Sequence, residues 1–257
     1  MVGKITTIID LSLPLKQDMP LRRPPQITYY GHEETAAAAG PQWGLLPDDF
    51  PNARYCAYEE VTLVTHVGTH LDAPWHFGKT SEGKPAKTID QIPLEWCYGD
   101  GVVLDFSYKS SGDSITEDEV KAALAKIKYG LKAHDIVLIR TDTTNKYYGL
   151  PDYEYKHPGM TRQATLWLIE QGIKVMGIDA WGWDRPLDIL AAELKSGVKG
   201  SFWAAHYLGQ EREYCHIEGL TNLDKIPVPF GFKVAAFPIK IEGASAGWVR
   251  AVAIIER

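Results

Sequence analysis

The amino-acid sequence predicts a single α/β domain with a mixed β-sheet flanked by helices, on three observations. Over residues 99–180, apolar segments typical of buried strands alternate with segments of helical period. A strand, helix, strand order implies parallel pairing of the strands. Residues 230–257 are typical of an antiparallel hairpin of two long strands, and no repeat, low-complexity tract or linker divides the 257 residues. A sheet with both parallel and antiparallel pairs is therefore expected.

The N-terminal part of the chain contributes two predicted strands separated by a long irregular segment. Residues 5–13, "ITTIIDLSL", form the first strand, and residues 58–71, "YEEVTLVTHVGTHL", alternate side-chain types as a half-buried strand does. Residues 20–57 are rich in proline, glycine and aromatic residues without a sustained period. Because such a stretch is long for a loop in a compact domain, we expect a lid, a binding loop or an arm on a neighbouring subunit.

Capping residues bound the predicted central helices. Thr116 and Glu119 form a capping box at the start of "SITEDEVKAALAKIKYG", which ends at Gly130. Thr161 is the N-cap of the next helix, which ends at Gly172. The buried strands are "GDGVVLDFS", "HDIVLIRTD" and "IKVMGIDA", and "RPLDILAAELKSG" is a shorter helix.

Composition and charge narrow the class of protein. The formal net charge is -6 and no Lys/Arg-rich run occurs, so a nucleic-acid partner is not expected. Three cysteines without a Cys-x-x-Cys pair indicate neither a disulfide framework nor a zinc knuckle. The N-terminus lacks the pattern of a signal peptide, and no apolar run of about 18 residues occurs. The sequence predicts a cytoplasmic protein that neither binds nor spans a membrane.

Three of the eight histidines lie in the stretch "HVGTHLDAPWHF", residues 66–77. In a strand, His66, His70 and Asp72 share one face, and imidazole nitrogen with carboxylate oxygen suits Zn²⁺ or Mn²⁺. An ideal strand would hold the Cα atoms of His66 and His70 about 13 Å apart, so Gly68 is expected to bend the chain. Gly68 and Pro74 disfavour a helical H-x-x-x-H. Histidines hydrogen-bonded to backbone are the alternative interpretation.

A metal site needs further donors from another segment. The segment "AAHYLGQEREYCHIEG" carries His206 and His216 beside Glu218, and spacing does not choose between the two histidines. In "GIDAWGWD", Asp179 and Asp184 are further possible ligands, although a strand end with tryptophans facing a pocket is the favoured interpretation.

The stretch 66–77 resembles the signature H-x-G-T-H-x-D-x-P-x-H, followed by Phe or Trp, of the cyclase-type metal-dependent hydrolases. That family includes bacterial kynurenine formamidase, isatin hydrolase and trans-dienelactone hydrolase. Its second ligand pair, a histidine followed twelve residues later by glutamate, matches His206 and Glu218. The similarity extends over "HPGMTRQATLWLIEQGIKVMGIDA" and "GASAGWVRAVAIIE".

The resemblance implies one domain over residues 1–257, with a partly barrel-like sheet of the swivelling β/β/α type. It also implies a homodimer or homotetramer, in which the irregular arm at about 20–57 closes a neighbour's active site.

The resemblance also assigns roles by position. It implies one or two divalent metals per subunit, Zn²⁺ or Mn²⁺, with Asp72 shared between the two positions. Isatin hydrolases have Gln at the place of Glu218 and use one Mn²⁺, so Glu218 favours the binuclear, formamidase-like arrangement. His76 matches the family's proton-transfer histidine, and a further metal ligand is its alternative role. The implied metal ligands are His66, His70, Asp72, His206 and Glu218.

The expected activity is hydrolysis of a small amide, an arylformamide or a cyclic amide such as isatin, by metal-activated water. Lactone hydrolysis, and metal or small-molecule binding without turnover, are the alternatives. Aromatic residues in or near the motifs predict a flat substrate, with core packing as the alternative role of each. The candidates are Trp43, Trp75, Phe77, Trp181 and Trp203.

A second motif, "GASAG", matches the G-x-S-x-G turn that carries a nucleophilic serine in α/β-hydrolases. The following residues have strand character, so Ser245 is predicted to lie in a hairpin turn and not at a nucleophile elbow.

Overall fold

The structure is a computed structural model that describes residues 6–256. These residues divide into two compact units. One unit is Leu15–Val64, and the other combines the described residues up to Pro14 with those from Thr65 onwards. Within the described range, no helix is both long enough and apolar enough to cross a bilayer.

The described residues form fifteen strands, seven α-helices and six 3₁₀ turns. The strands are β1 (Thr6–Asp10), β2 (Gln26–Tyr30), β3 (Tyr58–Thr62), β4 (His70–Asp72), β5 (Thr80–Ser81), β6 (Lys84–Pro85), β7 (Tyr98–Asp105), β8 (Ser114–Ile115), β9 (Ile136–Arg140), β10 (Gly159–Met160), β11 (Val175–Ile178), β12 (Cys215–Glu218), β13 (Phe230–Ala235), β14 (Ala246–Trp248) and β15 (Val252–Glu256). The α-helices are α1 (His32–Ala39), α2 (Pro74–Phe77), α3 (Glu117–Ile127), α4 (Thr143–Tyr147), α5 (Arg162–Glu170), α6 (Leu187–Lys195) and α7 (Ala204–Leu208). The 3₁₀ turns are Gly40–Trp43, Pro47–Asp49, Pro51–Ala53, Ile89–Gln91, Leu94–Trp96 and Leu223–Lys225.

A nine-stranded sheet organises the larger unit, in the order β1-β15-β13-β7-β9-β11-β12-β4-β14. The four central strands β7, β9, β11 and β12 are parallel, and every other pair in this sheet is antiparallel. The prediction of an α/β fold with a mixed, partly barrel-like sheet flanked by helices is therefore confirmed.

Apolar side chains of the central strands pack on both faces of the sheet. Val103, Ile136 and Leu138 belong to one buried cluster, whereas Val102 and Val137 belong to the other. Strands covered on both faces need apolar residues at consecutive positions. The continuous apolar runs in the sequence have this cause.

The predicted helix caps are present. The Thr116 backbone N–H donates to the Glu119 carboxylate at 2.9 Å, and the Thr116 hydroxyl accepts from the Glu119 N–H. The Thr161 hydroxyl accepts from the Ala164 N–H at 3.2 Å. Helix α3 ends at Ile127, before the predicted Gly130, because Lys128 already adopts a left-handed conformation with φ 55°.

The predicted strand over residues 58–71 is wrong in its middle. Strand β3 ends at Thr62 and β4 begins at His70, with a turn at residues 65–69 between them. Gly68 has φ 74°, so the predicted bend at this glycine is confirmed. The alternation of side-chain types continues across the turn and concealed it.

The predicted C-terminal hairpin also contains an additional strand. Strands β13 and β15 pair antiparallel, as predicted, but β14 lies between them in sequence and pairs with β4 at the far edge of the sheet. Strand β14 therefore forms one edge of the sheet, and β15 lies next to β1 at the other edge.

The smaller unit contains regular structure where the sequence indicated an irregular arm. Strands β2 and β3 form an antiparallel ribbon, in which the Tyr30 and Tyr58 rings stack at 4.6 Å. The ribbon is exposed, with Tyr29 at 62% and Val61 at 50%. Trp43 lies in this unit, 54% exposed, with its ring 5.9 Å from that of Tyr55.

Candidate metal centre

Strand register places the first donors of the site. In the antiparallel pair β4 and β12, His216 lies opposite Asp72 and Glu218 lies opposite His70. Opposite residues on one face of an antiparallel pair bring their side chains together. The short strand β4 is flanked by β12 on one side and β14 on the other, so both of its donor residues are buried.

The turn before β4 returns His66 to the same place. Thr69 holds this turn, because its hydroxyl donates to the Gly219 carbonyl at 2.6 Å and accepts from the Leu13 N–H at 2.8 Å. A Cβ at Gly219 would lie 2.6 Å from the Gly68 carbonyl oxygen, so only glycine allows the two turns to touch. As a result, His66 Nδ1 lies 2.8 Å from Asp72 Oδ1.

Helix α7 supplies His206, and Asp184 fixes its position. The Asp184 carboxylate accepts from the backbone N–H groups of Ala205 and His206, at 2.9 and 3.1 Å. It also accepts from His206 Nδ1 at 2.6 Å. The Trp203 ring stacks on the His206 ring at 4.5 Å. One buried carboxylate thus anchors the start of the helix and orients its imidazole.

The donor atoms converge on Asp72 and Glu218. Nitrogens of five histidines lie within 4 Å of the Asp72 carboxylate: His66 at 2.8 Å, His216 at 3.1 Å, His70 at 3.3 Å, His76 at 3.7 Å and His206 at 3.9 Å. The Glu218 carboxylate lies 3.3 Å from His216 Nε2 and 3.6 Å from the Nε2 atoms of His206 and His70. Two overlapping groups, each with donor atoms within 4.8 Å of one another, are Asp72, His206, His216, Glu218 and His66, Asp72, His76.

Three buried imidazoles present the same nitrogen to this cluster. Nδ1 of His70 lies 3.0 Å from the Gly68 carbonyl, Nδ1 of His206 faces Asp184, and Nδ1 of His216 lies 3.3 Å from the Tyr214 hydroxyl. Assigning the Nδ1 proton to each of these oxygen partners leaves the Nε2 lone pair directed at the cluster. This is the tautomer that a metal ligand requires.

The residues present fit a divalent metal. Buried atoms of the cluster lack any partner in hydrogen-bonding geometry among the described residues: His70 Nε2, His216 Nε2 and both Asp72 oxygens. An unpartnered buried polar atom costs about 1–3 kcal/mol. Two carboxylates with several imidazole nitrogens form the donor set of Zn²⁺ or Mn²⁺, so a bound cation would satisfy these atoms together.

The ionisation of the two carboxyl groups in the cluster also favours a bound cation. Burial alone would raise the pKa of Asp72, but the histidines around it, His76 foremost, hold the pKa well below its usual value. Burial opposes the ionised form of Glu218 too, yet the adjacent His216 imidazole, 3.3 Å away, lowers the pKa of that carboxyl to about 2. Burial lowers the pKa of His76 to about 4. Two ionised carboxylates in a buried site stabilise positive charge.

The structure brings together all the residues that the sequence proposed as ligands, and His76 with them. The His76 ring lies 4.1 Å from the His66 ring and 5.6 Å from that of Trp203. His216, which spacing left open, joins the cluster together with His206. Asp184 contacts His206 from outside the cluster, and its hydrogen bond to Nδ1 orients the His206 ring.

The structure adds residues for which the sequence gave little signal. The Trp183 backbone N–H donates to Glu218 at 2.8 Å, and the Trp183 ring stacks on His216 at 5.4 Å. Ser245 lies in a bend directly before β14, after the turn at residues 242–243, and its hydroxyl lies 2.9 Å from His66 Nε2. The strand that follows Ser245 excludes the strand-to-helix geometry of a nucleophile elbow. Only proximity in the fold reveals Tyr214.

The candidate aromatic residues lie in different surroundings. Phe77 is buried and stacks on Tyr214 at 5.0 Å, so it packs behind the cluster. Trp203 contacts His206 and His76 directly. Trp75 is partly exposed, and the Trp181 ring lies 6.4 Å from that of His157.

Comparisons with known proteins identify relatives of this chain. The family model named Cyclase, described as "Putative cyclase", matches residues 9–185. An isatin hydrolase of Roseibium aggregatum is 28% identical over 214 residues, which cover 79% of this chain and 76% of that protein. A kynurenine formamidase of Bacillus thuringiensis is 32% identical over 129 residues, which cover 50% of this chain and 53% of that protein.

Solved structures show the same fold. Isatin hydrolase A from Ralstonia solanacearum superposes with a TM-score of 0.77 at 25% identity, over 97% of this chain and 92% of that one. A structure described as a potential metal-dependent hydrolase with cyclase activity has a TM-score of 0.65 at 22% identity, over 97% and 98% of the two chains. Because the family model covers more than half of the chain, this protein belongs to the cyclase family.

Proposed function

We propose that the protein is a metal-dependent hydrolase that cleaves the carbon–nitrogen bond of a small amide, an arylformamide or a cyclic amide such as isatin. The observation that carries this proposal is the set of unpartnered, buried donor atoms around Asp72. The relatives named isatin hydrolase and kynurenine formamidase support it. The proposed ligands are His66, His70, Asp72, His206 and Glu218.

A divalent metal, Zn²⁺ or Mn²⁺, in this site would lower the pKa of a coordinated water from about 15.7 towards 7 and polarise the substrate carbonyl. The protein contributes the orientation of the donors and a proton carrier. Asp184 and the Gly68 carbonyl hold two of the imidazoles, so the donors need little rearrangement when the site is filled.

His76 is the proposed proton carrier. Hydrolysis forms a carbon–oxygen bond from water and breaks the carbon–nitrogen bond, and the departing nitrogen needs a proton to leave. His76 Nε2 lies 3.7 Å from Asp72 Oδ2, beside the donors, and its side chain is partly accessible at 19%. It can accept a proton from water and return it to the nitrogen, the usual task of a general acid and base.

The proposed substrate is flat. Trp203 lies against both His206 and His76, so its ring borders the place where the scissile bond would lie. Trp75 and Trp181 are proposed as further residues that line the substrate pocket. Phe77 is proposed to hold the rings of His206 and His216 in position. Trp43 stays a proposed substrate contact on the sequence alone.

Metal removal and a substrate panel test the proposal. Dialysis against a chelator should abolish hydrolysis of N-formylkynurenine or isatin, and added Zn²⁺ or Mn²⁺ should restore it. Full activity in metal-free protein would contradict the metal-dependent mechanism. Lactones assayed beside the amides test the bond type, since a preference for lactones would contradict amide hydrolysis. If the metal-loaded protein binds these compounds without hydrolysing them, it is a binding protein.

We also propose a homodimer or homotetramer in the cytoplasm. The β2 and β3 ribbon carries exposed apolar side chains, Tyr29 and Val61 among them, which supports a contact with a second subunit. Cys97 and Cys215 are buried free thiols, as expected in a reducing compartment. Light scattering coupled to size-exclusion chromatography measures the molar mass in solution, and a monomer would contradict the proposed oligomer. Cell fractionation tests the proposed location in the cytoplasm.

A further inference from the structure

We propose that His216 is a metal ligand, which gives one metal position four protein donors: Asp72, His206, His216 and Glu218. The inference rests on the proposed metal centre and adds to it a donor that the family pattern of His206, Glu218 and the shared Asp72 does not contain. It also separates the roles of the two positions.

The position of His216 is the first argument. Its Nε2 lies 3.1 Å from Asp72 Oδ2 and 3.3 Å from Glu218 Oε1. One donor atom from each of the four residues lies within 4.8 Å of the others, and all four residues are buried. Strand register enforces this placement, because His216 is directly opposite Asp72 and two residues before Glu218.

The orientation of the ring is the second argument. The Tyr214 hydroxyl donates to the Ala205 carbonyl at 2.8 Å, so the phenolic oxygen is free to accept from His216 Nδ1. Trp183 stacks on one side of the ring, and Phe77 lies 5.2 Å away. Both Tyr214 and Trp183 are fully buried. The ring therefore cannot turn Nε2 away from the carboxylates without breaking this packing.

A buried ion pair of His216 with the carboxylates is the competing interpretation. A protonated imidazole would direct its Nε2–H along a line to one oxygen. Instead, Nε2 lies near two carboxylates and has hydrogen-bonding geometry to neither. Both Asp72 oxygens are likewise without such a partner. Donors that converge without pairing fit a shared cation between them better than a proton on one of them.

A four-donor position leaves different tasks to the two metals. Structural sites with four protein ligands are closed, whereas catalytic sites keep a place for water. With His216 as a ligand, its position would be the closed one. The other position, assigned to His66, His70 and the shared Asp72, would have three protein donors beside His76 and would leave a place for water and substrate.

Cobalt binding tests the assignment without an activity assay. Metal-free wild-type protein and the variant His216→Gln are titrated with Co²⁺, and visible absorption reports the coordination while chelator competition reports the affinity. We expect the tightest Co²⁺ affinity to fall strongly in His216→Gln and its absorption bands to change. Tyr214→Phe, which removes the acceptor of Nδ1 and the hydrogen bond to the Ala205 carbonyl, should lower the affinity about tenfold. His157→Gln is the matched control, a buried histidine outside both donor groups, and should bind Co²⁺ as wild type does.

Two results overturn the inference in distinguishable ways. If His216→Gln keeps the wild-type affinity and spectrum, His216 is not a ligand, while the proposed metal centre stands. If wild-type protein binds no Co²⁺, the proposed function fails as well. Should the variant fold poorly, ¹⁵N NMR of wild-type protein loaded with ¹¹³Cd²⁺ decides, because a direct ¹⁵N–¹¹³Cd coupling at His216 Nε2 is present if it is a ligand and absent if it is not.

Discussion

Asp72 lies at the centre of the candidate metal site. It is completely buried, yet five imidazoles approach it, and its carboxylate belongs to both groups of possible donors. Burying an ionised carboxylate without compensation is very unfavourable. Its position is therefore explained by the positive charge that the surrounding donors are arranged to hold.

At the residue scale, His76 separates turnover from metal binding. His76→Ala should reduce kcat by about 10²–10⁴-fold, because it removes the proposed proton carrier. The metal content, measured by elemental analysis, should stay at the wild-type level, since the other donors remain. Loss of metal together with activity would instead make His76 a ligand.

Asp184 is expected to act through His206 without touching substrate. Asp184→Asn keeps the size of the side chain but weakens the hydrogen bond to His206 Nδ1, so metal affinity should fall about 10–100-fold. Chelator competition measures this fall. Excess metal should restore most of the activity, and a variant that stays inactive when fully loaded would show a role beyond positioning.

The sequence indicated the candidate-site residues that lie within one motif more fully than those that meet across strands. His66, His70, Asp72 and His76 follow one another in twelve residues, so their shared face could be seen. His216 depends on the register of β12 against β4, and Asp184 on the loop that meets α7. Neither relation is encoded in the spacing of residues along the chain.

At the scale of elements, the contact between the turns at Gly68 and Gly219 holds strand β4 in place. Gly219→Ala should destabilise the protein by about 1–3 kcal/mol, because Gly219 has φ 68° and the added Cβ would lie 2.6 Å from a backbone oxygen. Urea unfolding measures the change. Gly130→Ala is the matched control, since its Cβ would meet nothing within 4 Å, and an equal loss there would contradict the steric explanation.

Elements with strong local signals were predicted well. Helices α3 and α5 begin at the threonine caps that the sequence indicated, because a cap is a property of four neighbouring residues. The prediction of one strand over residues 58–71 was wrong, because the alternation of side-chain types does not reveal a turn that is held by contacts with Leu13 and Gly219. Such contacts join segments that are far apart in the chain.

At the scale of the whole molecule, metal binding should be visible as stability. A ligand that binds only the folded state at 100 times its Kd adds about 2.7 kcal/mol to the free energy of unfolding. We therefore expect Zn²⁺ or Mn²⁺ to raise the Tm of metal-free protein in differential scanning fluorimetry. The variant Asp72→Asn should show no such rise, and an equal rise would place the bound metal elsewhere.

Strand β4 has a consequence for how the protein is made. It is three residues long and hydrogen-bonded on both sides, to β12 at 215–218 and to β14 at 246–248. During synthesis, the histidine motif leaves the ribosome long before either neighbour exists. The strand that carries His70 and Asp72 is therefore completed only after residues 246–248 have emerged, so we expect the proposed metal to bind after that stage of synthesis.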